Sequence, residues 1–114
     1  MQHRTPKHLE DIRDAATFIL DSVGNRTLDD YRSDRLLRQA VERNLEIIGE
    51  AINRIVKEDR DVADRLGDYP RIIAFRNVLA HGYDLIDDEQ VWKVIQESLP
   101  ALKHRVETML LEIA

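Results

Sequence analysis

The sequence of 114 residues contains no cysteine. This absence excludes disulfide bonds and thiolate metal sites, and it is compatible with a reducing compartment. Four glycines and three prolines are too few for an architecture of many strands and tight turns. No apolar run approaches the roughly 20 residues that cross a bilayer, and the N-terminus lacks the apolar stretch of a signal peptide. We therefore expect one helical domain over residues 1–114 in the cytoplasm, without membrane contact.

The composition is that of a globular helical protein, with 43% hydrophobic and 34% charged residues. A chain this short buries only a small core, so a second subunit would add stability. The net charge of −5 and the pI of about 5.3 argue against a protein that coats nucleic acid by bulk attraction. The net charge and the pI are still compatible with a local basic cleft or with a basic binding partner.

Apolar residues recur at spacings of three and four in three segments, which is the periodicity of amphipathic helices. The first segment covers residues 6–23, with Thr5 as its expected cap; the second covers 35–57 after a cap at Asp34. The third begins near residue 88 and keeps its phase past Pro100, which predicts either one kinked helix or two collinear helices. The fold class is therefore all-α, an up-and-down bundle of four or five helices. The predicted core positions are Leu9, Ile12, Ala16, Ile19, Val23, Leu37, Val41, Ile48, Ala51, Ile55, Val91, Ile95, Leu99, Leu102, Val106, Met109 and Ile113, and the middle helix is widened by Leu36, Leu45, Ile47 and Ile52.

Several polar residues receive structural interpretations. The acidic run at residues 84–89 resembles a carboxylate cluster, but a capping box of Asp87 with Gln90 explains it better than a metal site does. No metal or other cofactor is predicted. We expect His3, His8 and His104 to be solvated and without a role. Trp92 is expected in the core or at a dimer interface.

The segment Arg76-Asn77-Val78-Leu79-Ala80-His81-Gly82-Tyr83 carries the chemistry. Arg76 offers a planar, permanently charged fork of donors that suits a phosphate. His81 can exchange a proton near neutral pH. Together they could cleave RNA without a metal, since a base takes the 2′-hydroxyl proton and a cation stabilises the charge that develops at phosphorus. About 0.01 chance matches to the three-residue pattern are expected in this composition.

A structural interpretation of the same residues stays open: Arg76 would form a surface ion pair, His81 would end a helix and Tyr83 would pack on the core. Helix geometry also constrains the site, because Arg76 and His81 lie about 140° apart on a straight helix while Arg76 and Tyr83 lie within about 20°. Either Gly82 ends the helix and redirects His81, or a second subunit completes the site. Asn77 lies about 40° from His81 and could fix its tautomer.

Glu50 lies next to the apolar face of the middle helix. A carboxylate buried there needs a cation. The structural interpretation is a cap or an ion pair with an arginine such as Arg76. The functional interpretation is that Glu50 orients Arg76 or His81.

The pattern Arg76-x4-His81-x-Tyr83 resembles the signature of the HepT family of bacterial toxins in the HEPN superfamily, and Ile47-Ile48-Gly49-Glu50-Ala51 is similar to that family's mid-helix string. The similarity runs from about His8 to Leu111. It implies an all-helical homodimer that acts as an endoribonuclease on RNA, with Arg76 and His81 catalytic. It also implies a type VII-like toxin–antitoxin system, in which an MntA-type nucleotidyltransferase antitoxin transfers AMP to Tyr83.

Two functions of different classes remain after the sequence alone. The first is the RNA-cleaving toxin, acting on tRNA or mRNA. The second is a non-catalytic helical partner and substrate of a nucleotidyltransferase, with a nucleotide-binding cleft at Arg76. A helical scaffold without any site is the plainest alternative. Replacing His81 by Ala distinguishes the first two, because only an enzyme loses RNA cleavage while it keeps its partner.

Overall fold

The first long helix, α1, spans Thr5–Val23. Every predicted core position of this helix is buried, from Leu9 at 0% exposure to Val23 at 2%. Gly24 ends the helix at a φ of +49° and donates its N–H to the Leu20 carbonyl oxygen, a backbone conformation that glycine adopts without steric strain. The predicted cap at Thr5 is wrong. Arg4 holds the cap position without a side-chain bond, and the Thr5 side chain is used elsewhere.

The computed structural model describes residues 3–67, residue 72 and residues 86–113. The motif residues Arg76, Asn77, His81 and Tyr83 lie outside this set, as do the predicted helix start at residues 68–70 and Gly82.

A short helix, α2, follows α1 and spans Leu28–Ser33. Thr27 caps it by accepting the Asp30 N–H at 3.2 Å, and the Asp30 carboxylate accepts the Thr27 N–H at 2.9 Å. These reciprocal bonds satisfy two backbone donors that a helix start leaves free. The side chain of Tyr31 from this helix is fully buried.

The predicted central helix, α3, spans Arg35–Glu58, and Asp34 caps it by accepting the Leu37 N–H at 3.1 Å. Its apolar face is buried as predicted, except that Leu36 is 82% exposed and Ile47 is half-buried. The side-chain amide of Asn44 has a hydrogen-bond partner within the helix, since it donates to the Ala40 carbonyl oxygen at 2.8 Å. The buried face comprises Leu37, Val41, Leu45, Ile48, Gly49, Ala51, Ile52 and Ile55.

A short helix, α4, spans Arg60–Asp64 in a charged part of the sequence. After residue 85 the chain forms α5, Asp88–Lys93. The predicted cap at Asp87 is confirmed, but its carboxylate accepts the Glu89 N–H at 2.9 Å instead of forming a box with Gln90. The final helix, α6, spans Leu99–Ile113, and its predicted stripe is buried except at Ile113, which is 44% exposed.

A π-helical turn over Val94–Ser98 joins α5 to α6. The Leu99 N–H donates to the Val94 carbonyl, five residues back, and Pro100 follows. Proline has no N–H, and its ring clashes with the carbonyl four residues earlier in a regular α-helix. A wider π turn at this point relieves that conflict. The helix therefore continues through Pro100, and the irregularity precedes the proline.

The helices pack as a bundle in which α1 contacts both α3 and α6, and α2 contacts α3 and α5. The buried faces of these helices form a single apolar cluster. The predicted all-α class is confirmed, and the described ranges contain no strand. None of the helices in these ranges has the length and hydropathy to cross a membrane. The homodimer stays a prediction.

Candidate active site and its frame

Of the predicted site residues, Glu50 lies in the described part of the chain. It is exposed on α3, and its carboxylate accepts a hydrogen bond from the Arg54 guanidinium at 3.3 Å, one helical turn later. The expected contact with a cation is present, but the cation is a neighbour on the same helix and the carboxylate is not buried. Whether Glu50 supports catalysis stays a prediction.

Glu50 lines a cavity of about 270 Å³ between α1 and α3. The cations around this cavity are neutralised by nearby carboxylates. Lys7 donates to Asp11 at 2.7 Å, and this bond raises the pKa of Lys7. Arg54 is held by Glu50. The complete lining is Lys7, His8, Asp11, Ile47, Glu50, Ala51 and Arg54.

Two side-chain contacts join the start of α1 to the end of α3. The Thr5 hydroxyl, which is fully buried, donates to the Asp59 carboxylate at 3.2 Å. One turn later, His8 Nε2 lies 3.3 Å from the Glu58 carboxylate. The expectation of a solvated His8 is therefore wrong, because the residue is 9% exposed and packs against the last turn of α3. Both contacts join residues at least 50 positions apart, so they set how the two long helices lie together.

The chain enters the motif-bearing segment through a constrained turn. Gly67 follows α4 at a φ of +86°, a region where an L side chain is strained. The Arg105 guanidinium of α6 lies directly over it, since a Cβ added at Gly67 would stand 2.9 Å from Arg105 Cζ. Ile72, four residues before Arg76, is helical and buried. After the segment, the half-buried Ile86 and the Asp87 cap lead into α5. The described residues on either side of the motif are thus held by packing and by a helix cap.

The contact between α2 and α5 contains a buried phenol. The Tyr31 ring lies 5.7 Å from the Trp92 ring at an interplanar angle of 45°, so Trp92 contributes to the core as expected. Burial, and then the nearby charges of Glu42 and Asp88, raise the pKa of Tyr31 far above its ordinary value. Burial and Asp88 likewise raise the pKa of Glu42. The Tyr31 hydroxyl has no hydrogen-bond partner among the described residues.

Residues 3–67, 72 and 86–113 contain no group of three or more His, Asp or Glu side chains that could hold a metal ion. In the acidic run that follows the motif, the Asp87 carboxylate is engaged as a helix cap. Asp88 and Glu89 lie in the first turn of α5, where negative charge stabilises a helix N-terminus.

Sequence reasoning missed one feature, the placement of Arg105. The sequence feature that could have pointed to Arg105 is a run of three basic or titratable residues, Lys103-His104-Arg105, in an acidic chain. Helical periodicity marks these positions as the outer face of α6 and assigns them nothing further. His104 is exposed, as expected.

Comparison with known proteins identifies relatives over nearly the whole chain. The model of the Ribonuclease HepT-like family matches residues 9–109. A Caldanaerobacter subterraneus protein named "Putative RNase TTE0752" is 31% identical over 108 residues, which are 94% of this chain and 96% of that protein. A Methanocaldococcus jannaschii protein named "Putative RNase MJ1380" is 32% identical over 101 residues, 87% of this chain and 90% of that protein. A Thermococcus cleftensis protein named "Probable ribonuclease HepT" is 29% identical over 109 residues, 96% of this chain and 98% of that protein. No solved structure matches the chain significantly.

Proposed function

The chain belongs to the Ribonuclease HepT-like family, and we propose that it is a metal-independent endoribonuclease that acts as the toxin of a toxin–antitoxin pair in the cytoplasm. The observation that carries this proposal is the family match over residues 9–109, which spans the whole Arg76-x4-His81-x-Tyr83 pattern. Relatives of nearly equal length carry ribonuclease names, which supports RNA as the substrate.

In the proposed reaction, the Arg76 guanidinium binds the scissile phosphate through two parallel hydrogen bonds. His81 acts as general base and takes the proton of the adjacent 2′-hydroxyl, or as general acid and protonates the leaving 5′-oxygen. The new bond joins the 2′-oxygen to phosphorus, and the bond from phosphorus to the 5′-oxygen breaks. Arg76 stabilises the negative charge that develops on the phosphoryl oxygens. A cation and a proton-transfer group together require no metal.

The remaining predicted residues have supporting roles. Asn77 fixes the tautomer of His81, and Tyr83 lines the site or stacks on a base. Glu50 orients the site from the surface of α3 while Arg54 holds its carboxylate. A Glu50→Gln variant that loses more cleavage activity than Arg54→Gln supports this role, because both substitutions remove the same ion pair. Equal losses would assign Glu50 to the ion pair alone.

A homodimer completes the site in this proposal, because about 140° of helix separates Arg76 from His81. Mixing subunits tests this directly. If each site takes Arg76 from one chain and His81 from the other, Arg76→Ala and His81→Ala chains mixed in equal amounts recover about a quarter of the wild-type cleavage rate. Half of the dimers are then mixed, and each has one intact site. A mixture as inactive as its components would place both residues in one chain.

The proposed antitoxin is an MntA-type nucleotidyltransferase that transfers AMP to Tyr83. The Tyr83 oxygen forms a bond to the α-phosphorus of ATP and pyrophosphate leaves. The added group brings negative charge and bulk to the phosphate-binding side of the site, which would exclude RNA. Incubation with ATP and the partner should increase the mass by one AMP, and Tyr83→Phe should prevent this increase.

The decisive cellular experiment compares growth, tRNA integrity and mRNA integrity after expression of the wild type and of His81→Ala. The proposal predicts growth arrest and RNA cleavage with the wild type alone. If the wild type leaves every RNA intact yet binds and is modified by the nucleotidyltransferase, the chain is the non-catalytic partner described as the alternative.

A further inference from the structure

Arg105 differs in its surroundings from the other described arginines on the long helices. Its guanidinium lies against the backbone of Gly67, where any larger residue would collide with it. Gly67 is also the last residue described before the gap that precedes Ile72. An arginine side chain thus rests on the backbone of Gly67, nine residues before Arg76 in the sequence.

The charge of Arg105 is not neutralised by any residue in the described part of the chain. No carboxylate among the residues that the structure describes forms an ion pair with it, whereas Arg13, Arg26, Arg43, Arg54, Arg60 and Arg65 each have one. Arg4, Arg32, Arg35 and Arg38 also lack a carboxylate partner among the described residues, but of these five arginines Arg105 is the one that lines a cavity described here. Arg105 is exposed, so its donors face solvent and can receive a ligand.

Arg105 lines two neighbouring cavities. The first, here called the α6 basic pocket, has a volume of about 240 Å³. Its other cation, Arg65, donates to Glu112 at 2.8 Å, so Arg105 and the exposed His104 are its unoccupied polar groups. The pocket is lined by Arg65, His104, Arg105, Thr108 and Met109.

The second cavity, of about 220 Å³, lies on the other side of the Arg105 side chain and is also lined by Ile72 and Ser98. Ile72 precedes Arg76 by four residues in the sequence. Glu97 contributes a carboxylate to this second cavity, which makes it less suited to an anion than the α6 basic pocket. Of the two cavities that Arg105 lines, the α6 basic pocket is therefore the one that suits an anion.

We propose that the α6 basic pocket binds a backbone phosphate of the RNA substrate outside the scissile position, with Arg105 as the contact. Guanidinium donors match phosphate oxygens in geometry and charge. Arg105 lies beside Gly67, which precedes Arg76 by nine residues in the sequence. The inference rests on the proposed ribonuclease function and deepens it by assigning a second point of substrate contact.

Binding of a fluorescent single-stranded RNA to the full-length chain tests the inference. The measurement uses the His81→Ala background, so that no cleavage interferes, and compares Arg105→Gln, Arg105→Lys and Arg43→Gln. Each phosphate contact on single-stranded RNA contributes a slope of about 0.7 in the logarithmic salt dependence, which amounts to about fivefold in affinity at about 0.1 M salt. We expect Arg105→Gln to weaken binding about fivefold and to lower the salt slope by about 0.7.

The two other variants separate a phosphate contact from simpler effects. Arg105→Lys keeps the charge and should retain most of the affinity. Arg43→Gln removes one equally exposed charge that is already paired with Glu46, and it should change affinity less than twofold. In the wild-type background, Arg105→Gln should raise KM with little change in kcat, as expected for a contact made equally in the ground and transition states.

The possible failures are distinguishable. If Arg105→Gln and Arg43→Gln bind RNA equally well, the α6 basic pocket is not an RNA contact, even when the wild type cleaves RNA. If RNA affinity is unchanged but Arg105→Gln weakens binding of the nucleotidyltransferase, the pocket serves a protein and the inference is overturned. If the wild type neither binds nor cleaves any RNA, the proposed function itself fails.

Discussion

The α1–α3 side of the molecule and the side formed by α5, the π turn and α6 carry cavities of similar size, about 270 and 240 Å³. The two cavities differ in whether the charged and polar side chains around them have hydrogen-bond or ion-pair partners. On the α1–α3 side, Lys7 and Arg54 each have a carboxylate partner, and the buried Thr5 hydroxyl has one as well. On the α5–α6 side, Arg105 has no partner in the described ranges.

The backbone repeats this contrast. Both long helices of the α1–α3 side are regular throughout. The other side contains the π turn, and Gly67 lies there beneath Arg105. Its helix α5 also packs against α2, the helix that carries the buried Tyr31 hydroxyl. Departures from local rules concentrate at functional positions in natural proteins. Apart from Glu50, the α1–α3 side thus serves as scaffold, and the α5–α6 side is where we expect the substrate to bind.

The largest stability effect is expected at Gly67. Gly67→Ala should lower the free energy of unfolding by about 1–2 kcal/mol, because an L residue at this φ is strained. The collision with Arg105 adds little, since the end of a long side chain can move. Chemical denaturation measures the loss, and Arg105→Ala in the same chain should restore little of it. A fully restored stability would show that the guanidinium contact, and not the backbone, makes glycine necessary.

Gly24 provides the matched comparison on the α1–α3 side. It also has a positive φ. A Cβ added to Gly24 would lie 3.6 Å from the nearest atom, a backbone oxygen. Gly24→Ala should therefore cost a similar amount through strain alone. A much smaller loss at Gly67 than at Gly24 would contradict the constrained turn at the motif entrance.

Two fully buried hydroxyls offer the next test. Tyr31→Phe should raise the free energy of unfolding by about 1 kcal/mol, because it removes a buried donor without a described partner. Thr5→Val should lower it by about 1 kcal/mol, because it removes the bond to Asp59. Thermal unfolding of the two variants measures whether each substitution raises or lowers stability. A destabilised Tyr31→Phe protein would mean that the phenol is satisfied, and the contrast between the two sides would weaken.

A smaller, pH-dependent effect is expected at Glu42. Its pKa is raised in the folded state, mainly by burial and then by Asp88, so the folded protein holds this proton more tightly than the unfolded chain does. Stability from this group is greatest at low pH and declines as pH rises through the raised pKa. Glu42→Gln should therefore stabilise at pH 7 by less than about 1 kcal/mol, since the group is only half-buried and solvent screens its charge.

Below about pH 4 the gain from Glu42→Gln should disappear, because the glutamate is then protonated in both states. Glu46→Gln is the control, one turn further along α3, where the carboxylate pairs with Arg43 at 3.2 Å. It should not stabilise at pH 7. A gain that is equal at both pH values would exclude the proposed charge burial.

The smallest effect is expected for the ion pair of Glu50 and Arg54. Both side chains are about half exposed, and pairs of this kind contribute about 0.3–0.5 kcal/mol. A double-mutant cycle with Glu50→Gln and Arg54→Gln measures the coupling between them. A coupling above about 1 kcal/mol would show that the α1–α3 cavity is more than scaffold.

The sequence predicted the parts of the fold that depend on local chemistry. The caps at Asp34 and Asp87 follow from side-chain oxygens next to a helix start, and the buried stripe of α1 follows from spacing alone. The errors at Thr5 and His8 have one cause. Both residues bond to the end of α3, at least 50 positions away, and no local pattern carries that information. Leu36 and Ile113 lie on the predicted apolar stripes at helix ends, where the bundle no longer covers them.

For the site, the spacing in Arg76-x4-His81-x-Tyr83 was enough to propose a chemistry. It could not indicate Arg105, because the importance of that residue comes from its position over Gly67, 38 positions earlier in the chain. The role that we propose for Arg105 therefore depends on the three-dimensional structure and could not be read from the sequence.

The central claim is that this chain cleaves RNA through Arg76 and His81. Its most direct test is the single-turnover cleavage rate of a labelled RNA by the purified wild type and by His81→Ala, with a chelator present. The account predicts wild-type cleavage that the chelator leaves unchanged, and a rate at least about 100-fold lower for His81→Ala, with RNA affinity retained. Undiminished cleavage by His81→Ala, or wild-type cleavage that the chelator abolishes, would contradict it.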